Sequence, residues 1–154
     1  MLYFKNIRWK NFLSTGNQFT ELQLDKISTT LIVGENGSGK STVLDALCFG
    51  LFSKPFRRIN RPQLINSIND GGLLVEIEFE VGSRSYMVRR GIKKNIFEIF
   101  IDGKRLNQDA KTADQQEYLE KTILKLNYKS FTQIVLLGAN HYIPFMQLKP
   151  TDRR

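Results

Sequence analysis

Gly34-Glu35-Asn36-Gly37-Ser38-Gly39-Lys40-Ser41 follow the spacing G-x-x-x-x-G-K-[ST], a pattern whose chemistry is the holding of phosphate groups. Three glycines let the chain turn so that backbone N–H groups from Asn36, Gly37, Ser38 and Gly39 point inward at a β-phosphate. Lys40 is spaced to bridge β- and γ-phosphate oxygens as a point charge, which makes it the candidate catalytic residue. The Ser41 hydroxyl is the candidate Mg²⁺ ligand, and Thr42 is placed for an α-phosphate contact. Hydrolysis would need more, namely an acid at the end of a buried strand to hold the Mg²⁺ shell. Asp102 is the only formal candidate, because it ends the apolar stretch IFEIFID. Asp102-Gly103 also reads as a tight hairpin turn, which the alternation before it favours.

The surrounding sequence supplies the elements such a loop requires. Residues 29–33 are short, β-branched and apolar, as in a buried strand. From Ser41 to Phe52, Val43, Leu44, Leu47, Cys48, Leu51 and Phe52 recur at helical spacing, which predicts an amphipathic helix behind the loop. YFKNIRWKNF and FTELQL read as strands before it. Residues 54–70 are irregular and basic, and residues 73–107 alternate as an antiparallel β-meander. Helical periodicity returns over residues 112–126, with Thr112 as N-cap and Gln115 three residues on. SFTQIVLLG is a second apolar run, and PTDRR reads as the first turn of another helix.

The 154 residues suit one domain with its own core, and the single Cys48 excludes a disulfide framework and points to a reducing, cytoplasmic setting. No apolar run approaches the ~20 residues of a membrane span, and MLYFKNIRWK lacks a signal core. The net charge of +8 is segmental. Lys54, Arg57, Arg58 and Arg61 lie in a stretch without acids, and so do Arg84, Arg89, Arg90, Lys93 and Lys94. Such segments are either solvated faces or contacts to a polyanion such as DNA, for which Lys54, Arg57, Arg58, Arg61, Arg89, Arg90, Lys93 and Lys94 are the candidates.

Lys10-Asn11-Phe12-Leu13-Ser14 after a strand, then LIVGENGSGKST and LDALCFGLF, resemble the N-terminal ATPase lobe of the SbcC/Rad-fifty family of SMC-type DNA-repair proteins. KPFRRINRPQLIN and SFTQIVLLGANHYIPFMQL are similar to its T-even-like phage branch. The resemblance implies an α/β fold: a P-loop NTPase of the ABC/SMC head type, as an N-terminal lobe with a mixed sheet, a β-meander and flanking helices. It implies ATP and Mg²⁺ as cofactors and a head split in two. Residues 1–149 would be the lobe and 150–154 the root of a coiled coil, with the signature motif and catalytic acids in a C-terminal lobe. The chain would then be a piece of a larger protein; a small stand-alone protein is the alternative. DNA bound without sequence preference, a Mre-type nuclease subunit and a second ATPase head are the implied partners.

Two positions depart from the family pattern. Where members carry a glutamine reaching Mg²⁺ and the attacking water, residues 137–145 offer Asn140 or His141, and His141 also reads as an ordinary polar loop residue. Where relatives often carry a phosphate-contacting arginine within Asn-Phe-x-Ser, Leu13 stands, leaving Ser14 as the replacement candidate. An ABC-transporter-type ATPase is the enzymatic rival, disfavoured by the Asn-Phe-x-Ser pattern. A nucleotide-gated DNA-binding module without turnover is the other.

Overall fold

A computed structural model describes residues 2–26, 42–57, 59–66, 68, 71–106 and 111–135. Alternating side chains build β1 (Leu2–Lys10), which doubles back as β2 (Thr20–Gln23). The meander sequence forms β3 (Leu73–Val81), β4 (Arg84–Ile92), β5 (Ile96–Ile101) and the short β6 (Lys104–Arg105). β3 pairs with β1, so the sheet order is β2-β1-β3-β4-β5-β6, antiparallel at every described pairing. The buried strand expected at residues 29–33 and the phosphate loop after it lie outside the described residues, as does the stretch 137–145.

Asp102 has φ +49 and Gly103 φ +82, the left-handed pair of a tight hairpin turn. The Asp102 carboxylate accepts from the Ser85 N–H at 2.9 Å, and the Asp102 N–H donates to the Ser85 carbonyl at 2.8 Å. Asp102 is therefore a turn residue on the exposed rim of the meander, far from the role of a Mg²⁺-holding acid.

Helix α1 (Thr42–Phe52) lies against the sheet face formed by Ile7, Trp9, Val75, Ile77, Val88 and Ile99. An amphipathic helix is expected here, yet Thr42, Asp45 and every residue from Ala46 to Phe52 are buried. The reason is that α1 is covered on its other sides too. Phe49 packs on Phe12 at 6.0 Å, and Phe52 on Phe131 at 5.2 Å and Tyr128 at 5.9 Å between ring centroids. On the sheet side, a Cβ added to Gly50 would stand 2.4 Å from Ile77 Cδ1, so the glycine lets helix and sheet approach closely.

Helix α2 (Thr112–Tyr118) starts one residue earlier than the capping pattern implies. Lys111 is the extended N-cap and gives no side-chain cap, while Thr112 is already helical. The Lys111 carbonyl accepts from the Gln115 N–H at 3.1 Å. The helix continues as wider π turns over Leu119–Leu124 and ends at Lys125, which has φ +55. Helix α3 (Tyr128–Ser130) is capped by the Asn127 side chain, which accepts from the Ser130 N–H at 2.8 Å, and runs on through Phe131–Val135. No helix among the described residues is long and apolar enough to cross a membrane.

Candidate nucleotide site and basic surface

Residues 34–41, which include Asn36, Gly37, Ser38, Gly39, Lys40 and Ser41, lie outside the described residues, and the structure describes the platform behind them. α1 begins at Thr42, which is 2% exposed. The first N–H groups of a helix have no partner within it, and with the helix dipole they favour an anion there. Asp45 sits in that first turn and would oppose an anion if left bare. It is 1% exposed and fully engaged: its carboxylate accepts from the Arg57 N–H at 2.8 Å and from Arg57 Nε at 2.5 Å. The pair leaves the first described turn of the helix without an uncompensated acid.

The Asn-Phe-x-Ser segment forms a tight loop held from inside. Asn11 (φ +52) and Leu13 (φ +53) take left-handed backbone. Asn11 Nδ2 donates to Asn17 Oδ1 at 2.8 Å and to the Gly72 carbonyl at 3.1 Å. Asn66 Nδ2 donates to the carbonyls of Leu13 at 2.9 Å and Thr15 at 3.0 Å. Ser14 projects from this loop as an exposed residue. Asn66, buried and distant in sequence, carries no signal in the sequence that would single it out.

The basic candidates separate into two groups. Arg57 is tied to Asp45, as above. Arg90 is 3% exposed and held from within the fold: its Nε donates to the Gly50 carbonyl at 3.0 Å and its Nη2 to Gln116 Oε1 at 2.5 Å. Its guanidinium lies 3.8 Å from the Phe97 ring centroid, and Gln116 Nε2 donates to the Leu51 carbonyl at 2.9 Å. Arg90 thus closes the C-terminal end of α1, where carbonyls need donors and a cation is favoured. Burial, then the neighbouring Arg61, lowers its pKa to about 9, so it is charged at neutral pH.

Arg89 points to the opposite face and is also engaged. Its Nε donates to Glu76 Oε1 at 2.8 Å and its Nη1 to Glu98 Oε2 at 3.3 Å, while Arg8 pairs with the other oxygen of Glu76. Cross-strand register brings these acids alongside, with Glu76 opposite Arg89 and Arg89 opposite Glu98. A stretch free of acids in sequence is therefore not free of them in space. Lys54, Arg61, Lys93 and Lys94 are exposed, with Lys54 Nζ 5.6 Å from the Tyr128 ring centroid. Arg58 lies outside the described residues. Burial raises the pKa of the Cys48 thiol, then Asp45 adds to the effect, so this free cysteine is an inert core group.

The AAA domain family matches residues 6–153. The chain belongs to that family. It is 49% identical over 148 residues to exonuclease subunit 2 of Escherichia phage RB69, an alignment covering 96% of this chain and 26% of the phage protein. It is 31% identical over 154 residues to the DNA double-strand break repair Rad50 ATPase of Methanococcus maripaludis, covering 97% of this chain and 15% of that protein. The chain thus spans about a quarter or less of the length of these relatives. A solved structure concerned with ATP-driven dimerization and DNA-stimulated activation of SMC ATPases shares the fold at TM-score 0.68 and 24% identity, covering 98% of this chain and 95% of that one. The fold is that of the N-terminal lobe of an SMC-type P-loop ATPase head, as the resemblance implies.

Proposed function

We propose that the chain is the ATP-binding half of a DNA-repair or recombination ATPase, belonging to a nuclease complex, in which residues 1–149 form the lobe and residues 150–154 open a coiled-coil helix. The observation that carries this reading is the start of α1. An 11-residue helix embedded in the core begins directly behind the phosphate-loop sequence, and Arg57 already neutralises its one first-turn acid. The backbone of residues 36–39, with Lys40, Ser41 and Thr42, would hold Mg-ATP, Ser41 as the protein's Mg²⁺ ligand and Ser14 on the neighbouring loop. When bound, ATP supplies the reactive γ-phosphoryl group and Mg²⁺ screens its oxygens.

In this reading the chain's residues bind and orient the nucleotide, and the hydrolytic site is completed by other parts of the head. Asp102 is committed to its hairpin, and among the described residues no three His, Cys, Asp or Glu side chains converge to hold a metal. Turnover is therefore assigned to the head completed by a C-terminal lobe and a second head, with Asn140 or His141 in place of the family's glutamine. DNA bound without sequence preference and a Mre-type nuclease subunit are the remaining partners, in the cytoplasm. The same observation on Asp102 favours, as a second reading, a nucleotide-gated DNA-binding module without turnover. Phosphate release separates the two. The chain alone should release phosphate at background rate and, on addition of the C-terminal lobe, at least tenfold faster; robust release by the chain alone contradicts the split site, and no release with the lobe present favours the module.

A further inference from the structure

Arg61 and Arg90 come from the two separate basic stretches of the sequence, yet they line one cavity of about 580 Å³. The cavity lies between the edge of β5 and helix α2, with Ser53, Phe97, Arg105 and Gln116 among its walls. β6 pairs with Phe100 and Ile101, and among the described residues the Ile96–Glu98 part of β5 has no strand neighbour on that side. A smaller cavity of about 280 Å³, lined by Lys54, Arg57 and Tyr128, shares Ser53 and Arg61 with it.

The charges in this cavity do not balance. Arg90 is held entirely by neutral groups, the carbonyls of Gly50 and Leu51, the Gln116 amide and the Phe97 ring. Arg61 rests 5.8 Å from the Phe49 ring centroid, and neither arginine has an ion-pair partner among the described residues. The one acid in the walls, Glu98, is directed at Arg89 at 3.3 Å and Arg105 at 3.9 Å. Two guanidiniums thus face one partly enclosed space and repel each other. Converging, unpaired guanidiniums match the oxygens of a phosphate group, which can accept from both at once.

We propose that this cavity is a phosphate site separate from the loop at residues 34–41, in which Arg61 and Arg90 share one phosphate group, carried either by a nucleic-acid strand or by a small free anion. Arg90 is the fixed half of the site, set by its hold on α1. Arg61 is the accessible half. The proposal rests on the described fold and stands whether or not the loop binds ATP.

The test uses the full chain carrying Lys40→Ala, which silences the phosphate loop, titrated with pyrophosphate and, separately, with a short 5′-phosphorylated single-stranded oligonucleotide. At least one probe should bind saturably, and adding Arg61→Ala should weaken it tenfold or more while the thermal midpoint stays unchanged. Arg61→Lys should recover part of the loss, since it restores charge without the fork. Binding of the oligonucleotide alone assigns the phosphate to a nucleic-acid strand, and binding of pyrophosphate, alone or together with the oligonucleotide, assigns a free-anion site. Binding of neither probe, or binding indifferent to Arg61→Ala, overturns the proposal. Arg90→Ala is the less informative variant because it also loosens α1.

Discussion

Arg90 fastens the end of the nucleotide helix to the meander and to α2 through one side chain. Replacing it with methionine keeps much of the bulk but leaves the Gly50 carbonyl and the Gln116 amide oxygen short of a donor. Orphaned buried acceptors cost about 1–3 kcal/mol each, and in a chain of this length each kcal/mol lowers the melting midpoint by roughly 2–4 °C. Arg90→Met should therefore melt several degrees lower, and Arg90→Lys should recover only part, because one ammonium cannot serve both sites. Thermal unfolding followed by circular dichroism checks this. Tyr128 gives a prediction in pH. Its hydroxyl donates to the Pro55 carbonyl at 2.7 Å, and burial first, then Cys48 and Asp45, raise its pKa above the ordinary 10.0. A raised folded value means that its contribution is complete below the unfolded value and is lost as pH rises through the folded one. The stability difference between the chain and Tyr128→Phe should hold constant up to about pH 9 and narrow above pH 10, as urea titrations across that range would show. The phosphate-loop motif is recognisable from its spacing, while its residues lie outside the described ones; Arg90, Asp45 and Asn66 carry no such sequence signal, because their partners lie in other elements.

Among the elements, β1 to β5 and the hairpin at Asp102-Gly103 are readable because strand alternation and turn chemistry are local properties. α1 is readable as a helix, but its burial on all sides is not, since Phe12, Tyr128 and Phe131 reach it from distant parts of the chain. The π turns of Leu119–Leu124 leave no sequence mark either. Gly50 is where helix and sheet meet most closely. Alanine is the better helix former by roughly 1 kcal/mol, but the added methyl would enter a space held by Ile77 and Val75. Overpacking of about 1–3 kcal/mol should outweigh the propensity gain, so Gly50→Ala is expected to lower the melting midpoint. An unchanged or higher midpoint would mean that α1 and the sheet are less tightly apposed than this.

For the molecule as a whole, pairing redistributes the charge that composition reports. Arg57 and Arg89 are held by acids and Arg90 is buried, so among the described residues the exposed cations of the two basic stretches are Lys54, Arg61, Lys93 and Lys94, with Arg84 at the start of β4. If DNA engages Lys54, Arg61, Lys93 and Lys94, the slope of log affinity against log salt should be roughly −3 to −4, at about −0.9 for each phosphate neutralised. A slope of roughly −6 would mean that Arg57, Arg89 and Arg90 contribute as well. Nucleotide binding is tested most directly by the affinity of the full chain for Mg-ATP with and without Lys40→Ala. Binding should be saturable, and Lys40→Ala should weaken it at least tenfold while the fold is retained; binding that Lys40→Ala leaves unchanged would contradict a nucleotide site at residues 34–42.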